Sequence, residues 1–436
     1  MRRIPGFAVL LAATLVAGLA GGLAAVGFHY LADVFGEQLF AWAEDNARPM
    51  RLPYVVIVPT VGLFLVGLVL QYLPEARLGG VREVLDSLRQ RDGRTPPIRI
   101  LNVFLSGLVL AFGGSVGPEG PMVQMGALAG SLTGQWIRLS GQNLQTLVRA
   151  GAAAGIASAF RSPAGGVLLT LEVFGAKFNR DLTSIAIAAG IGYVTRIAIL
   201  GDAYPFRPPG TMETLPLASL LLLVPVMGLA AAPAGHYFIR MFEFTRARFP
   251  LRSAPALRAG LGGLLVGTIG IWFPQVLSAG YPLIRRSLDG GISVQLFVAL
   301  LLFKMVATSI TFGSGAVGGL FAPTLVIGAL YGGAWGYGVH QLAPQLAPQP
   351  ELFVLLGMVV MFSSIIKGYW SGLLMVADLS GCYHQLLLPG VIAGGLSYAV
   401  GWQMDGHSIF GLTIDGTANG VEPAPAEIAV ESHSVS

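Results

Sequence analysis

Glu119 stands alone among glycines and prolines in Gly113-Gly-Ser-Val-Gly-Pro-Glu-Gly-Pro121, between two apolar segments. Glycine leaves backbone N–H groups unshielded, and Pro121 suits the first turn of a helix, where a missing N–H costs little. A helix that starts there presents free amides and the positive end of its dipole, which together attract an anion. A carboxylate in that place is itself an anion, able to fill the site when no ion does. An ionisable residue at membrane depth marks a functional site by default; the plainer alternative is an N-terminal glutamate at a membrane surface. A second Gly-rich stretch, Gly313-Ser-Gly-Ala-Val-Gly-Gly-Leu-Phe-Ala-Pro323, has no carboxylate and offers bare amides at Leu320 and Phe321. Its plainer alternative is a close helix crossing permitted by glycine.

The elements that must position these loops are apolar and numerous. Of 436 residues, 54% are hydrophobic and 11% are charged, against roughly 25% charged in soluble domains. Glycine, at 60 residues, is about twice its usual share of ~7%. A chain of this kind is an integral membrane protein, which excludes a cytosolic enzyme, a nucleic-acid binder and a secreted disulfide scaffold. Apolar segments recur at about 6–31, 53–72, 100–112, 121–138, 144–160, 164–178, 184–200, 216–240, 257–273, 294–312, 322–342, 351–366, 370–382 and 386–402. Several are too short to span a bilayer. Such broken helices are tolerated at membrane depth where their ends are buried or line a cavity. The first segment follows Arg2 and Arg3, but it is long enough to cross and reads as a membrane helix, not a signal peptide. Arg77, Arg82, Arg89, Arg91, Arg94 and Arg99 fall in one connecting stretch, which places that stretch and the N-terminus on the cytoplasmic side.

The two Gly-rich loops belong to a repeat. Phe112-Gly…Pro121 and Phe312-Gly…Pro323 are each followed, five residues after the proline, by Gly-Ala-Leu-x-Gly. Arg161-Ser-Pro-Ala-Gly-Gly-Val-Leu-Leu-Thr-Leu-Glu172 matches Lys367-Gly-Tyr-Trp-Ser-Gly-Leu-Leu-Met-Val-Ala-Asp378 in its basic, glycine and acidic positions. The expectation is a first membrane repeat over 1–204, a second over 205–412 and a disordered tail over 413–436. Matching broken helices in two halves point to a substrate site at mid-membrane between them.

Other chemistries find no support. The six histidines never pair at i, i+4, so no zinc site is expected, and no Gly-Lys dipeptide offers a P-loop for ATP-driven transport. Gly313-Ser-Gly lacks a convincing histidine base for an intramembrane protease. The single cysteine, Cys382, excludes an internal disulfide. Neither enzyme activity, cofactor nor metal is expected.

From about Phe7 to Leu412 the chain resembles the CLC family of chloride channels and chloride/proton exchangers, of the prokaryotic type without C-terminal regulatory domains. Gly117-Pro-Glu-Gly-Pro121 resembles the family's gating-glutamate motif, the stretch Gly313 to Pro323 its second anion-binding motif, and Ala159 to Glu172 the helix before its internal proton region. The resemblance implies an all-α polytopic membrane protein built as an inverted repeat of tilted and re-entrant helices. It also implies a homodimer in the cell (inner) membrane, in contact with lipid, with one pathway per subunit for chloride or another small anion and for protons. Glu119 would be the gate and proton carrier. Gly79, Gly80, Gly117, Pro118, Gly120, Gly319, Leu320, Phe321 and Phe410 would line the anion site.

Departures from the family pattern bear on mechanism. Leu78-Gly79-Gly80-Val81-Arg82-Glu83 aligns with a motif in which the family carries serine at position 79, so a hydroxyl donor is replaced by open space, a backbone donor or water. Phe410 stands where the family has an inner tyrosine, and Val173 where proton-coupled members often have a glutamate. Two modes remain open, proton-linked exchange and a passive channel, with a fluoride-selective variant of either.

Overall fold

The computed structural model describes residues 7–32 and 51–411. Arg2, Arg3 and the tail expected to be disordered lie outside the described residues. Eight helices come first: α1 (Phe7–Ala32), α2 (Arg51–Tyr72), α3 (Gly80–Gln90), α4 (Arg99–Ala111), α5 (Glu119–Trp136), α6 (Gln142–Phe160), α7 (Pro163–Glu172) and α8 (Phe178–Leu200). Eight more follow: α9 (Val224–Arg248), α10 (Pro255–Trp272), α11 (Tyr281–Asp289), α12 (Val294–Gly313), α13 (Phe321–Leu342), α14 (Pro350–Ile365), α15 (Tyr369–Ser380) and α16 (Tyr383–Asp405). The order of long and short elements recurs. Even the one-turn 3-10 helices Pro74–Arg77 and Pro274–Val276 hold the same place, before α3 and before α11.

Among the described residues, seven helices are long and apolar enough to cross a membrane: α1, α2, α8, α9, α10, α12 and α16. The protein is therefore a multi-pass membrane protein. Helices α7 and α15, with 10 and 12 residues, reach only about half-way through a ~30 Å core at ~1.5 Å per residue. Their ends stay among protein, where their free backbone groups find partners. Helix α14 is apolar all round and buried at every residue except Glu351, so it forms the centre of the second half of the chain.

Close approach of backbones explains much of the glycine content. On α5 and α6, a Cβ at Gly126 or at Gly151 would collide with the carbonyl of the other. Gly328 on α13 and Gly357 on α14 stand in the same relation. In hydrocarbon, where apolar burial drives association weakly, such small-residue crossings supply the contact.

Two short helices, α3 and α11, fall outside the apolar segments read from the sequence. They are amphipathic: Val81, Val84, Leu85 and Leu88 lie one turn apart on the buried face of α3, and Arg82, Asp86 and Arg89 are on the rest. The Arg-rich stretch expected as a connection is thus partly helical. Helix α9 also runs to Arg248, beyond the expected end near 240, after a π turn at Ser219–Leu223.

Candidate anion site

Two loops meet face to face at the centre of the molecule. Gly117 N–H donates to the Gly319 carbonyl at 2.7 Å and Gly319 N–H donates back to Gly117 at 2.9 Å, an isolated antiparallel bridge. Helix α5 begins two residues after Gly117 and α13 two residues after Gly319. A Cβ on Gly120 would fall 2.6 Å from the Gly319 Cα, so glycine is required on both sides of the junction. Gly80, at a φ of +62°, faces Gly318 and Gly120, which brings the N-terminus of α3 to the same place. Three helix N-termini converge, and such ends attract negative charge.

Glu119 occupies that junction. Its side chain is buried, and Oε2 accepts from Ala322 N–H at 3.2 Å, in the first turn of α13. The other oxygen, Oε1, is buried with no donor among the described residues. A carboxylate from the first repeat motif thus takes an amide of the second, as an anion would. Pro118 is the N-cap of α5 and Leu320 that of α13. The amides of Leu320 and Phe321 have no preceding helical turn to bond and are offered to the junction.

Phe321 also carries the next layer. Its ring stacks on Phe362 at 5.7 Å with 13° between planes, and meets Phe160 and Phe410 edge-on at 5.7 and 5.8 Å. Phe410 is therefore close to the α13 N-terminus, and its apolar ring has no hydroxyl to donate there. Arg82 on α3 donates to the carbonyl of Ile409 at 3.3 Å and ties the Phe410 segment to the Gly79–Gly80 turn.

The structure corrects the sequence reading at Gly79. The space left by the absent serine is not open: a Cβ there would fall on the carboxamide of Asn102, which itself donates to the Ala76 carbonyl at 2.7 Å. Gly80 N–H is also taken, by Gln124 Oε1 at 2.7 Å, and Gln124 Nε2 donates in turn to the Arg99 carbonyl at 3.1 Å. Gln124 and Asn102 were missed in the sequence because neither lies near the glycines along the chain. Gln124 sits five residues after Glu119, on the next turns of α5, and that spacing is the one signal that could have found it.

Val173 is buried at the end of α7. Its neighbour Glu172 is fully engaged: Oε1 accepts from Trp370 N–H at 2.8 Å, and Oε2 from Ser371 N–H at 3.1 Å and Ser371 Oγ at 2.5 Å. It caps the first turn of α15. In the mirrored place Asp378, on α15, accepts from Ser162, whose hydroxyl caps α7 through Gly165 N–H at 2.9 Å. Each short helix ends in the acid that holds the start of the other. Lys304 is a further buried cation absent from the sequence argument; it donates to the carbonyls of Val276 and Ser278 at 3.0 and 2.9 Å.

A family model described as voltage gated chloride channel matches residues 61–401. A ClcB-like protein of Ralstonia nicotianae is 32% identical over 92% of this chain and 95% of its own length. The H(+)/Cl(-) exchange transporter ClcA of Vibrio campbellii is 28% identical over 93% of this chain and 88% of its own. Among solved structures, a slow cyanobacterial Cl-/H+ antiporter superposes with a TM-score of 0.83 at 22% identity, covering 94% of this chain and 97% of that one. A CLC-type fluoride/proton antiporter gives 0.78 at 24% identity, covering 94% and 98%. With its family model matched over most of its length and 92% of the chain aligned with the Ralstonia protein, this chain belongs to the CLC family of voltage-gated chloride channel proteins.

Proposed function

We propose that this protein moves chloride or a similar small anion across the membrane in exchange for protons, through a pathway closed by Glu119. One observation carries the reading: the Glu119 carboxylate sits on the Ala322 amide where three helix N-termini meet. Anion and carboxylate compete for that place. A proton on Glu119 removes its charge and its claim on the amide, which couples proton binding to anion entry. The exchange activity named for the Vibrio relative supports the same reading. Gly117, Pro118, Gly120, Gly319, Leu320 and Phe321 supply the backbone of the site, with Phe410 at its inner mouth. Gly79 and Gly80 contribute less than the resemblance implies, since Gln124 holds the Gly80 amide.

The recurrence of helix order supports reading residues 1–204 and 205–412 as two inverted halves. The likeness to CLC proteins supports a homodimer in the cell (inner) membrane. A passive channel is the second reading, favoured by the buried Val173 and by a Glu172 spent on capping α15, which leave no free carboxylate at that place. Purified protein in liposomes decides between them. A chloride gradient that drives protons uphill means exchange; anion flux with no proton movement means a channel. Chloride replaced by fluoride in the same assay reports selectivity.

A further inference from the structure

Past Phe410, the chain turns through a cluster of ionisable groups that the gate does not use. His407 is buried, and both ring nitrogens face oxygen. Nδ1 lies 2.7 Å from the backbone carbonyl of Asp405 and Nε2 lies 2.6 Å from Glu243 Oε1. A carbonyl can only accept, so Nδ1 carries a proton and donates it. A neutral imidazole has one N–H, so the second contact closes only with a further proton between Nε2 and Glu243. The pair therefore holds one proton more than a neutral ring beside a free carboxylate. The Asp405 carbonyl ends α16, where the helix dipole also favours positive charge.

The groups around this pair come from four places. On α9, Arg240 approaches Glu243 at 3.8 Å, and Arg246 lies close enough to act electrostatically on Arg82 of α3, as Glu243 does. The Asp405 side chain is occupied separately, by Lys367 at 2.9 Å and His236 Nδ1 at 2.6 Å. Among the described residues the second His407 contact is thus made to Glu243, whose side chain is 34% exposed. Three residues on, the Phe410 ring rests on Phe321, while Ile409 is held from both sides, its N–H by the Ile365 carbonyl at 3.0 Å and its carbonyl by Arg82.

We propose that the His407–Glu243 pair is a proton-binding site at the inner mouth, and that the bound proton fixes the Phe410 segment in its closed place. Loss of the proton to water breaks one of the two His407 bonds and loosens the turn that carries Phe410, leaving it held at Ile409. The proposal rests on the transport reading above and adds a second proton site, distinct from Glu119 and three residues before Phe410 in the chain.

The test is anion flux in liposomes with the pH varied only on the side of the Arg-rich face, in the Glu119→Gln background so that the outer carboxylate does not titrate. With His407 intact, flux rises roughly threefold or more as the pH on that side is raised. His407→Lys, a permanent cation, gives slow flux at every pH, and His407→Gln gives fast flux at every pH. Either variant keeping the parent slope overturns the proposal, as does a parent with no slope on that side. No anion flux from wild-type protein at any pH would instead count against the transport reading.

Discussion

The two roles proposed for Glu119, gate and proton carrier, are separated by substitution. Glu119→Gln keeps the shape and loses the charge. Anion flux is expected to persist, while proton movement falls to the level of empty liposomes and the dependence on external pH disappears. Uphill proton transport by this variant would remove Glu119 from the gate. Gly79 makes a second residue-scale expectation. Gly79→Ser drives a side chain into Asn102, an overpacking that costs about 1–3 kcal/mol. Thermal unfolding in detergent should show the loss, and Asn102→Ala in the same chain should recover part of it and leave the new hydroxyl beside the α3 N-terminus. Anion affinity measured by calorimetry on that double variant then reports what a hydroxyl adds. The glycines and Glu119 were legible in the sequence because their chemistry is local: an acid, a turn and a helix start lie within nine residues. Asn102 and Gln124 were not, since what they do depends on a contact across 23 and 44 positions, which no spacing rule records.

Among the helices, legibility followed hydrophobicity. The segments read at 322–342 and 351–366 match α13 and α14 to within a residue, because both are apolar throughout. The reading failed at α3 and α11, whose charged faces lower the average although their buried faces repeat with helical period. The paired acids at the ends of α7 and α15 show why a carboxylate beside a proton-transfer position need not carry protons. Glu172→Ala removes three bonds from the start of α15 and should cost about 1–2 kcal/mol, as loss of a helix cap does. A lower melting temperature with an unchanged pH profile of flux is the expected result. A changed profile with normal melting would make Glu172 a proton carrier instead.

For the molecule as a whole, α8 sets the two faces. It starts beside Thr146 on α6, close to the Arg-rich stretch, through the Thr146–Asp181 and Gln145–Asp92 bonds. It ends 23 residues and roughly 34 Å later, at ~1.5 Å per residue, near the loop that meets α11 through the Arg285–Pro205 bond. Helices α3 and α11, alike in order along the chain, therefore lie on opposite faces. From the excess of arginine, the expectation is that the α3 face lies in the cytoplasm. With Cys382 buried, a cysteine at Arg94 should be labelled by an impermeant thiol reagent from the cytoplasmic side only, and one at Thr211 from the outside only. The reverse pattern would invert the assignment of Phe410 to the inner mouth.

The paired glycines at the centre limit how such a protein can cycle. Two transporter halves that rock against each other need a hinge line free of cross-links. Here Gly117 and Gly319 exchange two backbone bonds on that line, within a packing where neither neighbour leaves room for a methyl group. Rocking would break both bonds in every turnover. The proposed cycle is then left to parts that move without disturbing the frame, the Glu119 carboxylate and the Phe410 turn, so the backbone should stay still while ions pass. Amide hydrogen exchange offers the measure: Gly117 and Gly319 should exchange as slowly as the centre of α14, with chloride present or absent. Fast exchange that tracks turnover would show that the halves do part.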